Sequence, residues 1–262
     1  MTPSSTLTSP LPFAFGARCL FIGPSFGLSP HRNAVAVLAL GIDAPFQLTE
    51  NPDDDASAWR YRTCRSALIP PNTLHHLASP SGHMAFLYVD ALSIDYVRLR
   101  SYAKIRGRHA DFNLTCESQF IDWCHRLRSD PRLAWREVKP QLEELLRVNA
   151  HRALDKRIVN AIQSIHELPG KSKSLDALAK HAGLSNSRFL HLFKQTTGVP
   201  LRRYRLWAAM NATVRSMLKG TSLTRACIDA GFASSSHFSA AYREMFGMEP
   251  SRLLSITRPA PG

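Results

Sequence analysis

Two stretches decide the fold: SLDALAKHAGLSNSRFLHLFKQTTG at 174–198 and SLTRACIDAGFASSSHFSAAYREMFG at 222–247. They repeat one pattern 48 positions apart, with Leu175 against Leu223, Ala179 against Cys227, Ala182 against Ala230 and Gly183 against Gly231. A one-residue offset then aligns Ser185 with Ser234, Phe189 with Phe238, Phe193 with Tyr242 and Gly198 with Gly247. Each copy reads as a short amphipathic helix, a glycine turn, a serine N-cap and a second amphipathic helix. That is the sequence form of a helix-turn-helix, and two copies in one chain imply a protein that grips DNA twice.

In the second helix of the first copy, Phe189, Leu192, Phe193 and Thr196 recur at threes and fours and are expected to pack inward. The opposite face carries Ser187, His191 and Lys194, with Asn186 and Arg188 near the helix start. In the second copy Phe238, Ala241, Tyr242 and Met245 face inward, while Ser236, Ala240 and Arg243 face outward beside Ser235, His237 and Ser239. A helix-turn-helix lays the N-terminal part of this helix in the major groove, where polar side chains meet base edges. The expected contacts to double-stranded DNA are therefore Asn186, Ser187, Arg188, His191, Lys194, Ser235, Ser236, His237, Ser239 and Arg243. Side chains in the second copy are short, so base readout is expected chiefly from the first and phosphate anchoring from the second. Arg202 and Arg203 are further candidates for phosphate contact, and Gly183 and Gly231 serve turn geometry.

Charge agrees with this division. The 262 residues carry a formal net charge of +13. Residues 150–262 hold 17 Lys and Arg against 6 Asp and Glu, whereas the remainder holds 16 against 14. A basic C-terminal part beside a near-neutral partner is the footprint of polyanion binding. Five cysteines (Cys19, Cys64, Cys116, Cys124, Cys227) form no CxxC pair, which argues against a disulfide framework or a zinc cluster and fits a reducing cytoplasm. No apolar run of membrane-spanning length is present in the sequence, and its first residues are not expected to act as a secretory signal.

The N-terminal part has another texture. FAFGARCLFIG, NAVAVLALG, FQL, SALIPP and HMAFLYVD, between about 15 and 92, are short apolar or alternating runs punctuated by turn residues, as in a small sandwich or open barrel. NPDDDAS at 51–57 reads as an exposed loop. From about 93 helices are expected at IDYVRLRSYAKI, CESQFIDWCHRLRS and WREVKPQLEELLRVNAH, with Pro140 in the first turn of the last or starting a new helix. Further helices are expected at about 154–168 and from Pro200 to Leu218.

At this point GFASSSHFSAAYREMFGMEPSRLL closely resembles the C-terminal signature of AraC/XylS-type bacterial transcription regulators, through Gly231, Phe232, Ser234, Phe238, Gly247 and Pro250. The first copy fits through Leu178, Ala179, Ser185, Phe193, Lys194, Gly198 and Tyr204. The resemblance covers about residues 155–255 and implies that the helix at 200–218 holds two reading helices in successive major grooves. The family often carries a basic residue where this chain has His191, Ala240 and, in the linking helix, Ala209. HRNAVAVLALG and LIPPNTLHHLASPSGHMAFLYVD resemble the strands and loop of the cupin-like sensor domain joined to many such regulators. That resemblance implies an effector-binding or dimerising domain, in which His31, His75 and His76 are the effector candidates.

The expected architecture is thus an α+β multidomain chain. A flexible tail spans 1–14, a small cupin-like β-barrel with helices spans 15–150, and an all-α tandem helix-turn-helix domain spans 151–262. The expected function is sequence-specific transcription regulation, by family implication more often activation through RNA polymerase, with no catalytic residue, cofactor or metal. The chain could act as a monomer or a homodimer. A metal-dependent cupin enzyme fused to a DNA-binding module is the first rival. It needs several His and a carboxylate, but His31, His75, His76 and His83 come with HRN in place of HxH and without the acidic residue. An alkyl-transfer enzyme would need a reactive cysteine cluster. A non-specific architectural DNA-binding protein would leave 149 near-neutral residues without a task.

Overall fold

The computed structural model describes residues 11–15, 18–25, 27–50, 59–79, 81–90, 94–146, 155–167, 170 and 173–254. The chain forms two compact units, residues 1–150 with 246–262, and residues 151–245. Most of the expected tail and the NPDDDAS loop lie outside the described residues.

The first unit is built on strands β1 (Leu11–Phe15), β2 (Arg18–Pro24), β3 (His31–Arg32), β4 (Ala36–Gly41), β5 (Phe46–Thr49) and β6 (Tyr61–Cys64). They are followed by β7 (Ser66–Ile69), β8 (Leu74–His75), β9 (Leu77–Ala78), β10 (His83–Val89), β11 (Ala103–Arg106) and β12 (Asp111–Leu114). Residues 11–14, expected in the tail, thus pair with β2 through Leu11–Ile22 to Ala14–Cys19. A seven-stranded antiparallel sheet runs β1-β2-β10-β4-β7-β12-β11, beside a three-stranded sheet β6-β5-β9 and the pair β3-β8. Among the described residues these strands form an open stack and no closed barrel, which replaces the expected barrel.

Alternation along the central strands shows why both faces of the large sheet are buried. Every residue of β4 is buried. Ala36, Leu38 and Leu40 join Ala85, Leu87, Val89 and Leu68 on one face. Val37 and Ala39 join Met84, Ala67 and Ile69 on the other, against Phe46, Leu48, Cys64 and Leu77 of the small sheet. The run AVLALG is continuous because each side has a partner layer. On the first face lie helices α1 (Ile94–Ser101), α2 (Glu117–Ser129) and α3 (Pro131–Leu146), through Leu99, Phe120, Trp123, Leu127, Val138 and Leu142.

Two expectations for this part change. The helix expected over IDYVRLRSYAKI stops at Ser101, and Ala103–Arg106 leaves it as strand β11. The Ser101 hydroxyl donates to the Arg98 carbonyl, and Gly107 N–H to the carbonyl of Ala110, closing a β11–β12 hairpin that edges the large sheet. Pro140 lies inside α3, and the helix starts instead at Pro131, where Asp130 accepts from Leu133 N–H. Pro140 and Arg136 are exposed, so water can reach the carbonyl that the proline leaves unbonded. The buried stripe Ala134, Val138, Leu142 and Leu146 continues past it.

Ser66 of β7 joins sheet to helix. Its hydroxyl accepts from Leu114 N–H at 2.7 Å and donates to the Glu117 carboxylate at 2.6 Å, with the residue fully buried. Ser66→Ala should lower the stability of the first unit by about 1–3 kcal/mol, read as a reduced urea midpoint, because both partners lose a bond and one is a buried N–H.

Candidate nucleic-acid interface

The second unit holds α4 (Lys156–Glu167), α5 (Leu175–His181), α6 (Asn186–Thr197), α7 (Leu201–Leu218), α8 (Leu223–Asp229) and α9 (Ser235–Phe246), the last ending one residue past its boundary. The two repeats fold alike down to single hydrogen bonds. At the end of α5, Gly183 N–H donates to Lys180 and Leu184 N–H to Ala179. After α8, Gly231 N–H donates to Ile228 and Phe232 N–H to Cys227. Both are Schellman turns, which need a left-handed residue, and Gly183 and Gly231 supply it with φ of 66° and 92°. The one-residue offset between the copies is Ala233, inserted between the end of this turn and the next cap.

Serine caps the following helix in each copy: Ser185 Oγ accepts from Arg188 N–H at 3.4 Å and Ser234 Oγ from His237 N–H at 3.0 Å. The sequence reading missed a second pair of caps, Ser174 on α5 and Ser222 on α8, although serine ahead of each helical run was the available signal. Aromatic rings bind the helices of each copy. Phe193 meets Phe189 at 6.0 Å and Tyr204 of α7 at 5.5 Å, while Phe238 meets Phe232 at 5.2 Å and Tyr242 at 5.6 Å. His166 of α4 pairs with the Tyr204 hydroxyl at 2.9 Å. The inward set of α9 is buried throughout; in α6 Leu192 and Thr196 are half-buried and Thr197 takes the inner position.

Burial of these faces leaves the outward ones to solvent. On α6, Asn186, Ser187, Arg188, His191 and Lys194 are all exposed; on α9, Ser236, His237, Ala240 and Arg243 are exposed, and Ser235 and Ser239 are half-buried. Not all of these side chains stand alone. Asn186 donates to Asp176 of α5, so it braces the start of α6. Ser239 Oγ donates back to the Ser235 carbonyl at 2.9 Å. His237 Nδ1 accepts from Ala233 N–H at 3.4 Å and its ring stands edge-on to Phe232, which leaves the imidazole proton on Nε2. Arg203, a candidate phosphate contact by sequence, is mostly covered and pairs with Glu244 of α9 at 3.0 Å.

The effector candidates lie in the first unit. His31 and His75 face each other across β3–β8, ring centroids 4.3 Å apart, both buried, each Nδ1 paired with a backbone carbonyl (Ser29 and Thr73). His76 lies 2.7 Å from the Tyr61 hydroxyl and borders a cavity of about 500 Å³ lined also by Phe46, Gln47 and Thr63. Among the described residues no three His, Cys, Asp or Glu side chains group as a metal site, and all five cysteines are free thiols.

Residues 178–255 match the family model of a helix-turn-helix domain. Apo ToxT from Vibrio cholerae, in a variant with one substitution, is similar over 93% of this chain and 99% of its own, at 13% identity and a TM-score of 0.58. Wild-type ToxT with an unsaturated fatty acid bound is similar over 91% and 95%, at 13% identity and 0.55. An AraC-type DNA-binding domain from Chromobacterium violaceum is 26% identical over 40% of this chain and 96% of its own, with a TM-score of 0.35. No curated protein sequence is similar enough to count as a match. Residues 178–255 therefore form a helix-turn-helix domain, the class of module that the repeat and its geometry define. Over 93% of the chain the fold is similar to that of ToxT.

Two outcomes follow for the framework. Ser185→Ala or Ser234→Ala should each cost the second unit about 1 kcal/mol, measured by thermal unfolding. Burial, and after it the neighbouring His31, pushes His75 down to about 3 from the ordinary 6.5. The unfolded chain then binds the extra proton, so this contribution is complete above pH 6.5 and is lost as pH falls toward 3. Urea midpoints taken between about pH 6.5 and 5 should show a loss of up to about 1.4 kcal/mol per pH unit that His75→Gln removes.

Proposed function

We propose that the chain reads a specific duplex through α6 and α9, using Asn186, Ser187, Arg188, His191 and Lys194 from one and Ser235, Ser236, His237, Ser239 and Arg243 from the other. The observation that carries this reading is the repeated pair of capped, solvent-facing helices on one shared framework, in the unit where the positive charge collects. Arg188 is exposed near the N-terminus of α6, where a guanidinium can reach a guanine edge bidentately. Lys194, two turns on, suits a phosphate. In α9, His237 presents an Nε2–H donor and Ala240 an apolar contact for a thymine methyl.

Regulation is assigned to the first unit. Similarity in fold to ToxT, which has been seen with an unsaturated fatty acid bound, supports a small effector for this chain, and self-association through the first unit is the other route. Gene activation by contact with RNA polymerase is the sign we favour, and the cytoplasm is where such a protein meets its DNA. No helix among the described residues is long and apolar enough to cross a membrane.

A nuclease footprint on fragments around the chain's own gene, at two salt concentrations with competitor DNA, tests the reading. A discrete footprint of about two helical turns that survives competitor supports it; binding that vanishes with salt and prefers no fragment favours an architectural role. On the footprinted site Arg188→Ala should cost about 1–3 kcal/mol and relax specificity at one base pair. Lys194→Ala should weaken all sequences alike and reduce the salt slope by about one.

A further inference from the structure

The two turn glycines are equivalent in the repeat but not in their surroundings. A Cβ on Gly183 would meet nothing within 4 Å. A Cβ on Gly231 would stand 2.9 Å from the Cα of Gly170, and one on Gly170 would stand 2.3 Å from the Asp229 carbonyl oxygen and 3.1 Å from the Gly231 nitrogen. Gly170 lies between α4 and α5, on the segment that leads into the first helix-turn-helix. Two backbones therefore meet here with no space for a side chain on either, one leading into the first helix-turn-helix and the other in the turn of the second.

The same modules are tied to α7 on both sides. Arg205 donates to the carbonyl of Lys173, which pins the segment entering α5. Arg203, two residues earlier, pairs with Glu244 on α9 at 3.0 Å. Contacts thus join α7 to Lys173, Gly170 to Gly231, and Glu244 of α9 back to α7. Sliding or tilting α9 relative to α6 would have to part the glycine backbones or break the ion pair.

We propose that Gly170 and Gly231, with the Arg203–Glu244 pair, are positioning residues that set the distance and phase between the two reading helices, and so the spacing of the two DNA segments the protein accepts. The proposal rests on the DNA-binding reading above. None of these residues needs to touch DNA. One base pair added between the segments moves the second by about 3.4 Å and turns it by about 34°, which a locked pair of helices cannot follow.

The test uses full-length protein and a duplex that it selects from a random pool of about 30 base pairs, enough for two successive grooves. A series with one base pair inserted or removed between the two protected segments then gives a spacing profile. Wild-type protein should lose at least about tenfold in affinity for each single step, comparable to a mismatched base pair. Gly170→Ala adds a methyl group against the Asp229 carbonyl and should shift or flatten that profile while keeping the base preferences under α6. Gly183→Ala, strained at its turn but facing open space, should lower stability and leave the profile unchanged. Glu244→Gln, which keeps the side chain's shape, should flatten the profile in a fully folded protein and decides the matter if Gly170→Ala fails to fold. An unaltered profile in Glu244→Gln and in every folded Gly170→Ala sample overturns the positioning role alone. Failure of wild-type protein to select any duplex overturns the DNA-binding reading and this proposal with it.

Discussion

The second unit depends on the burial of α7. Its 18 residues place Leu201, Tyr204, Trp207, Ala208, Ala209, Met210, Asn211 and Thr213 out of solvent, more than one stripe of an ordinary surface helix. A helix covered on several sides needs a partner on each, and the repeats are those partners. Phe193 packs on Tyr204 from the first, and Glu244 binds Arg203 from the second. Small residues at 208 and 209 let neighbours approach closely. Neither short helix pair has enough apolar surface to be stable alone, so the central helix and its flanks form together or not at all.

The first unit solves the same problem with a sheet. The large sheet buries both faces, under three helices on one side and the smaller sheet on the other, which makes it a slab rather than a hollow vessel. Phe46, Leu48 and Phe112 on the second face pack together in one buried apolar cluster. The described cavity lies instead by β5, β6 and β9, where Gln47 and Thr63 stand opposite one another in register. An effector held there would bear on the small sheet.

Legibility in the sequence followed how local each cause was. The repeat, the Schellman glycines, the caps at Ser185 and Ser234 and the inward aromatic positions are settled within a short span of chain, and each could be read directly. The strands at NAVAVLALG and HMAFLYVD were equally clear, since their apolar runs are long. The β11–β12 hairpin was obscured because IDYVRLRSYAKI carries helix-compatible residues across a boundary that only pairing with β12 enforces. Pro140 misled for a similar reason: packing by Val138 and Leu142 outweighs one lost backbone bond on the solvent side. The pairing of Arg203 with Glu244, 41 positions away, was not legible because only the fold brings the two together. The outward faces of α6 and α9 were legible as exposed positions, whereas the engagement of Asn186 with Asp176 was not.

Exposure of those outward positions has an evolutionary side. Ser187, His191, Ser236 and Ala240 contribute almost nothing to the core, and exchanges at such exposed sites usually change stability by no more than about 0.5 kcal/mol. The framework residues beneath them, the paired aromatics and the turn glycines Gly183 and Gly231, vary only at a larger cost in stability. If α6 and α9 read DNA as proposed, mutation can sample new base preferences on them one position at a time while the framework stays folded. A duplicated module of this kind lets its two halves drift toward different half-sites, so an asymmetric target can arise without a second subunit.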